Sequence, residues 1–154
     1  HFLENNINTI DLINKNKKIV FILPIRNPLD CAMSNQNTGM SNIFHQINPN
    51  STYQEILKSI LDDFLFFFNN QKQLSSNFFH YYQHSFSEST LKEFCNYLDL
   101  LFDERWKNDV LDIYNIKDSY PHKKEDIDFY EEYVSTKFKD FPDEMEKLLQ
   151  FISY

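Results

Sequence analysis

Glycine is nearly absent: Gly39 stands alone in 154 residues. A loop that cradles phosphate with backbone amides needs glycines for close approach, so a complete nucleotide site of the usual kind is excluded. Cysteine is scarce too. Cys31 and Cys95 have neither CxxC nor Cys/His spacing, which excludes a disulfide framework and predicts reduced, buried thiols; the compartment stays open, with the cytoplasm favoured. Basic residues are outnumbered, with 15 Lys and Arg against 23 Asp and Glu and a net charge of −8. Without a basic stripe to displace counterions, no nucleic-acid surface is expected. Long apolar runs are missing as well. The nearest, Phe64-Leu-Phe-Phe-Phe68, follows Asp62 and Asp63 and falls short of the ~18 residues that span a bilayer, so no membrane segment is predicted. Signal-peptide features are not found. The first residue is His rather than Met, which reads as an excerpt of a longer protein or a processed product.

What is present suits one domain, residues 1–154, with a sizeable core. The stretch 17–34, KKIVFILPIRNPLDCAMS, is the part the rest of the chain serves. Its run Ile19-Val-Phe-Ile-Leu23 is β-branched and aromatic, bounded by lysines and Pro24, and predicts a fully buried strand over 18–23. Asn27, Pro28 and Asp30 then make a helix start: a capping oxygen, a fixed φ at the first helical position, and an acid near the positive end of the dipole. Arg26 lies between strand and helix, at the carboxyl edge where open α/β sheets bind their ligands. Ser34 follows Asn27 by seven residues, close to two turns of about 3.6 residues each, and so returns to the face of the cap. Arg26 and Ser34 can converge on one phosphate. The plainer alternative is a surface arginine and an ordinary helix serine after a strand.

The segment IRNPLDCAMS resembles the 3′-phosphate-binding segment of the sulfotransferases. That family's pattern is a hydrophobic strand, Arg, Asn or Asp, often Pro, then Asp, then Ser eight residues after the Arg, and every position matches here. The resemblance implies a partial, P-loop-like sulfotransferase fold of class α/β, with few parallel strands and many surrounding helices. It implies transfer of a sulfuryl group from 3′-phosphoadenosine 5′-phosphosulfate (PAPS) to a hydroxyl or amine by in-line displacement. Arg26 and Ser34 would bind the 3′-phosphate of the nucleotide, and the acceptor is not identified by the sequence. The family's 5′-phosphosulfate loop and its carboxyl-terminal glycine-containing loop have no counterpart, so the likeness covers about the second half of a typical domain. His1 precedes Arg26 by 25 residues, a distance at which many members carry a general-base histidine, and a terminal histidine with no role is the other reading. Tyr82-Gln83-His84 looks like the family's Tyr-Glu-Asp segment with both acids replaced, which leaves Tyr82 either as a nucleotide contact or as a core or rim tyrosine. A different class of function stays open: a helix-rich interaction or structural domain, or a relative that kept the fold without the chemistry.

The remaining chain supplies the frame. A short helix is predicted over 2–15 and a polar loop over 35–50, with His45 as a further candidate base or a solvated side chain. Thr52 and Glu55 form a capping box for a helix over 52–71, whose core stripe includes Tyr53, Ile56, Leu57, Ile60, Leu61, Phe64 and Phe68. Phe66 and Phe67 widen that stripe. A buried strand is predicted at 78–83, parallel to the first because a long helical crossover joins them. His80 and His84 would share a face of it without a third metal ligand. Helices follow over 88–101 and from Asp103, the latter carrying Trp106 as a core residue. Ser119, Lys123 and Lys124 read either as further phosphate donors or as a solvated linker. Two amphipathic helices, one with Ile127, Tyr130, Val134 and Phe138 and one from Asp143, are expected to pack on the outside of the domain.

Overall fold

The computed structural model describes residues 15–16, 19–38, 50–74, 78–114 and 120–152. The predicted helix over 2–15, Lys15 excepted, and most of the predicted loop over 35–50 lie outside the described residues. Strand β1 spans Phe21–Ile25 and strand β2 spans Phe78–Tyr82. They pair in parallel, with Phe21 opposite Phe78 and Ile25 opposite Tyr82. The parallel pairing follows the expectation, but β1 sits later than 18–23 and includes Pro24. A proline has no N–H to give a ladder, and a strand with one open edge tolerates it. Nor is β1 fully buried. Ile22 is 39 % exposed while Ile25 is 0 % exposed, because the strand alternates between the face packed on the main core and the opposite face, where Phe94 and Tyr97 cover Phe79 of β2 and leave Ile22 open.

Helix α1, Pro28–Thr38, begins as the sequence indicates: Asn27 Oδ1 accepts from the Leu29 amide at 3.1 Å. It runs into the stretch expected to be loop, with Thr38 Oγ1 donating to the Ser34 carbonyl at 2.7 Å. Asn and Thr are weak helix formers, and packing of Leu29 and Ala32 into the core carries the helix past them. Helix α2, Tyr53–Leu74, opens on the expected box: the Thr52 amide donates to Glu55 at 2.7 Å and the Glu55 amide to Thr52 Oγ1 at 3.3 Å. Both α1 and α2 belong to the crossover between the strands, and the buried Tyr53 hydroxyl donates to the Leu29 carbonyl at 2.9 Å to lock them together. Phe67 stacks on Phe78 of β2 at 5.9 Å, whereas Phe66 is 38 % exposed.

After a 3₁₀ turn at Gln83–Ser85, helix α3 spans Glu88–Tyr97, helix α4 Glu104–Tyr114, helix α5 Lys124–Lys137 and helix α6 Pro142–Leu149, with a closing 3₁₀ turn at Gln150–Ile152. Asp103 caps α4, its Oδ1 taking the Arg105 amide at 2.8 Å. Helix α3 ends earlier than expected because Asp99 adopts φ 55. The roles expected of the later helices are exchanged. Tyr130 and Val134 of α5, Phe138 just after it and Leu148 of α6 are all 0 % exposed and join Ile25, Leu57 and Leu61 in one core, so α5 and α6 are central rather than outer. Helices α3 and α4 are the peripheral pair, with Leu101 between them 94 % and Ile113 of α4 72 % exposed. Trp106 is correspondingly half-buried against Phe102 rather than in the core. The architecture is mostly helical around a small parallel sheet, a coarse α/β class. Among the described residues no helix is long and apolar enough to cross a membrane.

Candidate functional site

The carboxyl end of the sheet is where chain direction and local chemistry meet. The β1–β2 register sets Ile25 beside Tyr82, so Arg26 leaves β1 next to the end of β2. Ile25 is anchored in the core while Arg26 is exposed, which presents the guanidinium rather than packing it. Among the described residues no ion pair engages Arg26, whereas the chain's other arginine, Arg105, is held by Asp103 at 2.7 Å. The Arg26 charge is felt at Cys31: burial pushes that thiol up, the guanidinium pulls it down, and Asp30 pushes it up again. Arg26 therefore acts along the first turns of α1. Ser34 lies one turn beyond Cys31 on the same helix and is exposed.

A second segment is tied to this start of α1. Asp30 Oδ1 accepts from the Tyr120 amide at 3.1 Å and faces His122 Nε2 at 2.9 Å. The His122 side chain is 7 % exposed and its Nδ1 is buried without a hydrogen-bond partner. The acid at the start of α1 thus does more than complement a dipole; it pins the approach to α5 against α1. Lys123 and Lys124 follow directly, but Lys123 faces Glu125 at 3.5 Å and Lys124 is held by Asp128 at 2.8 Å. The structure does not bring either lysine to Arg26. Ser119, His1 and His45 lie outside the described residues.

Tyr82 sits at the right end of the sheet but is turned inward. It is 3 % exposed, and its hydroxyl donates to Glu144 Oε2. Burial first, then the hydrogen bond and the charge of Glu144, push its ionisation far above the ordinary tyrosine value. His80 Nε2 meets the other oxygen of Glu144 at 3.2 Å, and the Lys147 ammonium lies 5.4 Å from the centre of the Tyr82 ring. Burial works to raise the Glu144 carboxyl, but the bonds from His80 and Tyr82 outweigh it and hold the group below its usual range. The Tyr82 hydroxyl is spent on joining β2 to α6 and does not face a ligand.

The sequence reading found Arg26, Asn27, Asp30 and Ser34, all within one strand-to-helix turn. It missed Glu144, His122 and the buried Asp126, whose roles depend on contacts across 62, 92 and 72 residues of chain respectively. No protein-family model, curated protein or solved structure matches the chain.

Proposed function

We propose that this chain is the part of a sulfotransferase that holds the 3′-phosphate of PAPS, within a P-loop-like sulfotransferase fold. The observation that carries the reading is an exposed arginine at the carboxyl end of a strand in a parallel pair, followed by an Asn-capped helix with an exposed serine two turns on. Seven residues of helix rise about 10.5 Å, so the shared phosphate lies along the flank of α1, the direction in which the Arg26 charge already acts on Cys31. A guanidinium gives paired, charge-assisted bonds to phosphate oxygens, and a serine hydroxyl adds a neutral donor. The residues present fit one end of the nucleotide. With Gly39 the sole glycine, they do not fit its 5′-phosphosulfate end. When bound, PAPS supplies the sulfuryl group; what Arg26 and Ser34 contribute is to fix the nucleotide by its 3′ end, so that its position relative to an acceptor is set before reaction.

Calorimetric titration with adenosine 3′,5′-bisphosphate tests this. Arg26→Ala should weaken binding at least about tenfold, since a hydrogen bond to a charged group is worth roughly 1.5 to 3 kcal/mol and about 1.4 kcal/mol is a factor of ten. Arg26→Lys should restore only part, because a point charge cannot reproduce the fork. No heat at millimolar ligand with a folded chain, or equal affinity in all three proteins, removes the reading. A second reading, a helix-rich interaction domain, is favoured by one feature: Leu100 and Leu101 in the connection between α3 and α4 are 53 % and 94 % exposed, and Ile113 on α4 is 72 % exposed. Apolar surface of this kind marks contact sites when it is contiguous.

A further inference from the structure

Among the described residues one carboxylate is buried as deeply as the apolar core. Asp126, in the first turn of α5, is 7 % exposed, and aspartate is almost never so buried unless it is paired. Its hydrogen bond from Gln54 Nε2 is long, at 3.4 Å, and among the described residues no ion pair reaches it; Lys123, close by in sequence, faces Glu125 instead. The free amides at the start of α5 offer only partial positive charge. A buried carboxylate in that condition calls for a cation.

The surroundings say which kind. Asp126 lines a cavity of about 420 Å³, within the size range of small-molecule sites. Helix α1 contributes Met33 and Gln36 to its wall, the start of α2 contributes Thr52, Tyr53 and Gln54, and Lys123 lines it too, its ammonium turned to Glu125 at 3.5 Å. Met33 and Tyr53 offer apolar contact to an aliphatic stem. The amide oxygens of Gln36 and Gln54 and the Thr52 hydroxyl can accept the N–H bonds that one carboxylate leaves over. A hard metal cation is served poorly, since Ca²⁺ takes six to eight oxygen ligands and the described residues hold no group of three His, Cys, Asp or Glu placed for a metal. We infer that this cavity binds a small primary amine, its ammonium held by Asp126 and its stem lying between Met33 and Tyr53. The site is separate from Arg26 and stands or falls independently of the nucleotide reading.

The test is titration of n-butylammonium chloride into the full chain, followed through the side-chain amide NMR signals of Gln36 and Gln54, with n-pentanol as the neutral isostere and sodium chloride at matched ionic strength. Saturable shifts with butylammonium alone are expected. Asp126→Asn should weaken the affinity at least about tenfold, through loss of a charge-assisted bond, and leave the denaturation midpoint unchanged or higher because the unpaired buried charge is gone. Met33→Trp, which fills the cavity and leaves Asp126 intact, should abolish saturation. No saturable shift in the folded wild-type chain, equal affinity in wild type and Asp126→Asn, or equally tight binding of n-pentanol would each overturn the assignment.

Discussion

At Asp99 the backbone turns left-handed, with φ 55. The Leu100 amide reaches back to the Cys95 carbonyl at 2.8 Å and the Asp99 amide to Asn96 at 3.2 Å, the paired bonds with which helices commonly end on a glycine. Here an aspartate fills the place. A residue with a Cβ pays for that conformation, less so for Asp than for most. Asp99→Gly should therefore raise stability by up to about 1 kcal/mol, and Asp99→Val should lower it by roughly 1 to 2 kcal/mol, both read from urea denaturation. If the valine variant matches wild type, the turn relaxes and no strain is held there. Arg26 and Asn27 belong to the same scale: their roles follow from immediate neighbours, which is why the sequence shows them.

Between elements, the tie from β2 to α6 is made by titratable groups, so it carries a pH signature. Burial lowers His84 from its ordinary 6.5, opposed by its N–H bond to the Lys147 carbonyl, which is 2.9 Å long. A base with a depressed folded value gives stability that is complete above its ordinary value and is lost as pH falls, because the unfolded chain takes up a proton that the fold refuses. Glu144, held below its ordinary 4.5, behaves with the same sign at lower pH. The denaturation midpoint should thus fall in two steps on acidification, one starting below about pH 6.5 and one below about pH 4.5. His84→Gln should remove the difference attributable to the first step and Glu144→Gln that of the second, measured as variant minus wild type across pH. Curves that stay parallel to wild type throughout would mean that neither group is linked to folding. The tie also accounts for Tyr82, whose hydroxyl is withdrawn from the sheet edge by α6.

For the molecule as a whole, one core joins α1, α2, α5 and α6 to the end of β1. Leu61, 0 % exposed in the middle of α2, is at its centre. Leu61→Ala should cost about 2 to 5 kcal/mol through lost burial and the cavity left behind. A change below about 0.5 kcal/mol in chemical denaturation, the size usual for surface substitutions, would show that the α2 stripe is not the core.

Much of the fold was legible because it is written in short-range chemistry. The Asn27 cap, the Thr52–Glu55 box, the Asp103 cap, the α2 stripe and the parallel sense of the strands each follow from a few residues or from connection length. What the sequence could not tell is which amphipathic faces meet. Helices α3 and α5 both carry an apolar stripe, yet α5 enters the core and α3 stays at the edge. Asp126 and Glu144 stand among acidic neighbours, Glu125 and Asp128 or Asp143 and Glu146, and nothing in composition separates the half-buried or buried carboxylate from the solvated ones. Caps and periodicity are local free energies, set within a turn or two. Burial, and with it the placement of Tyr82, His122 and Asp126, is decided only when segments far apart in the chain pack together.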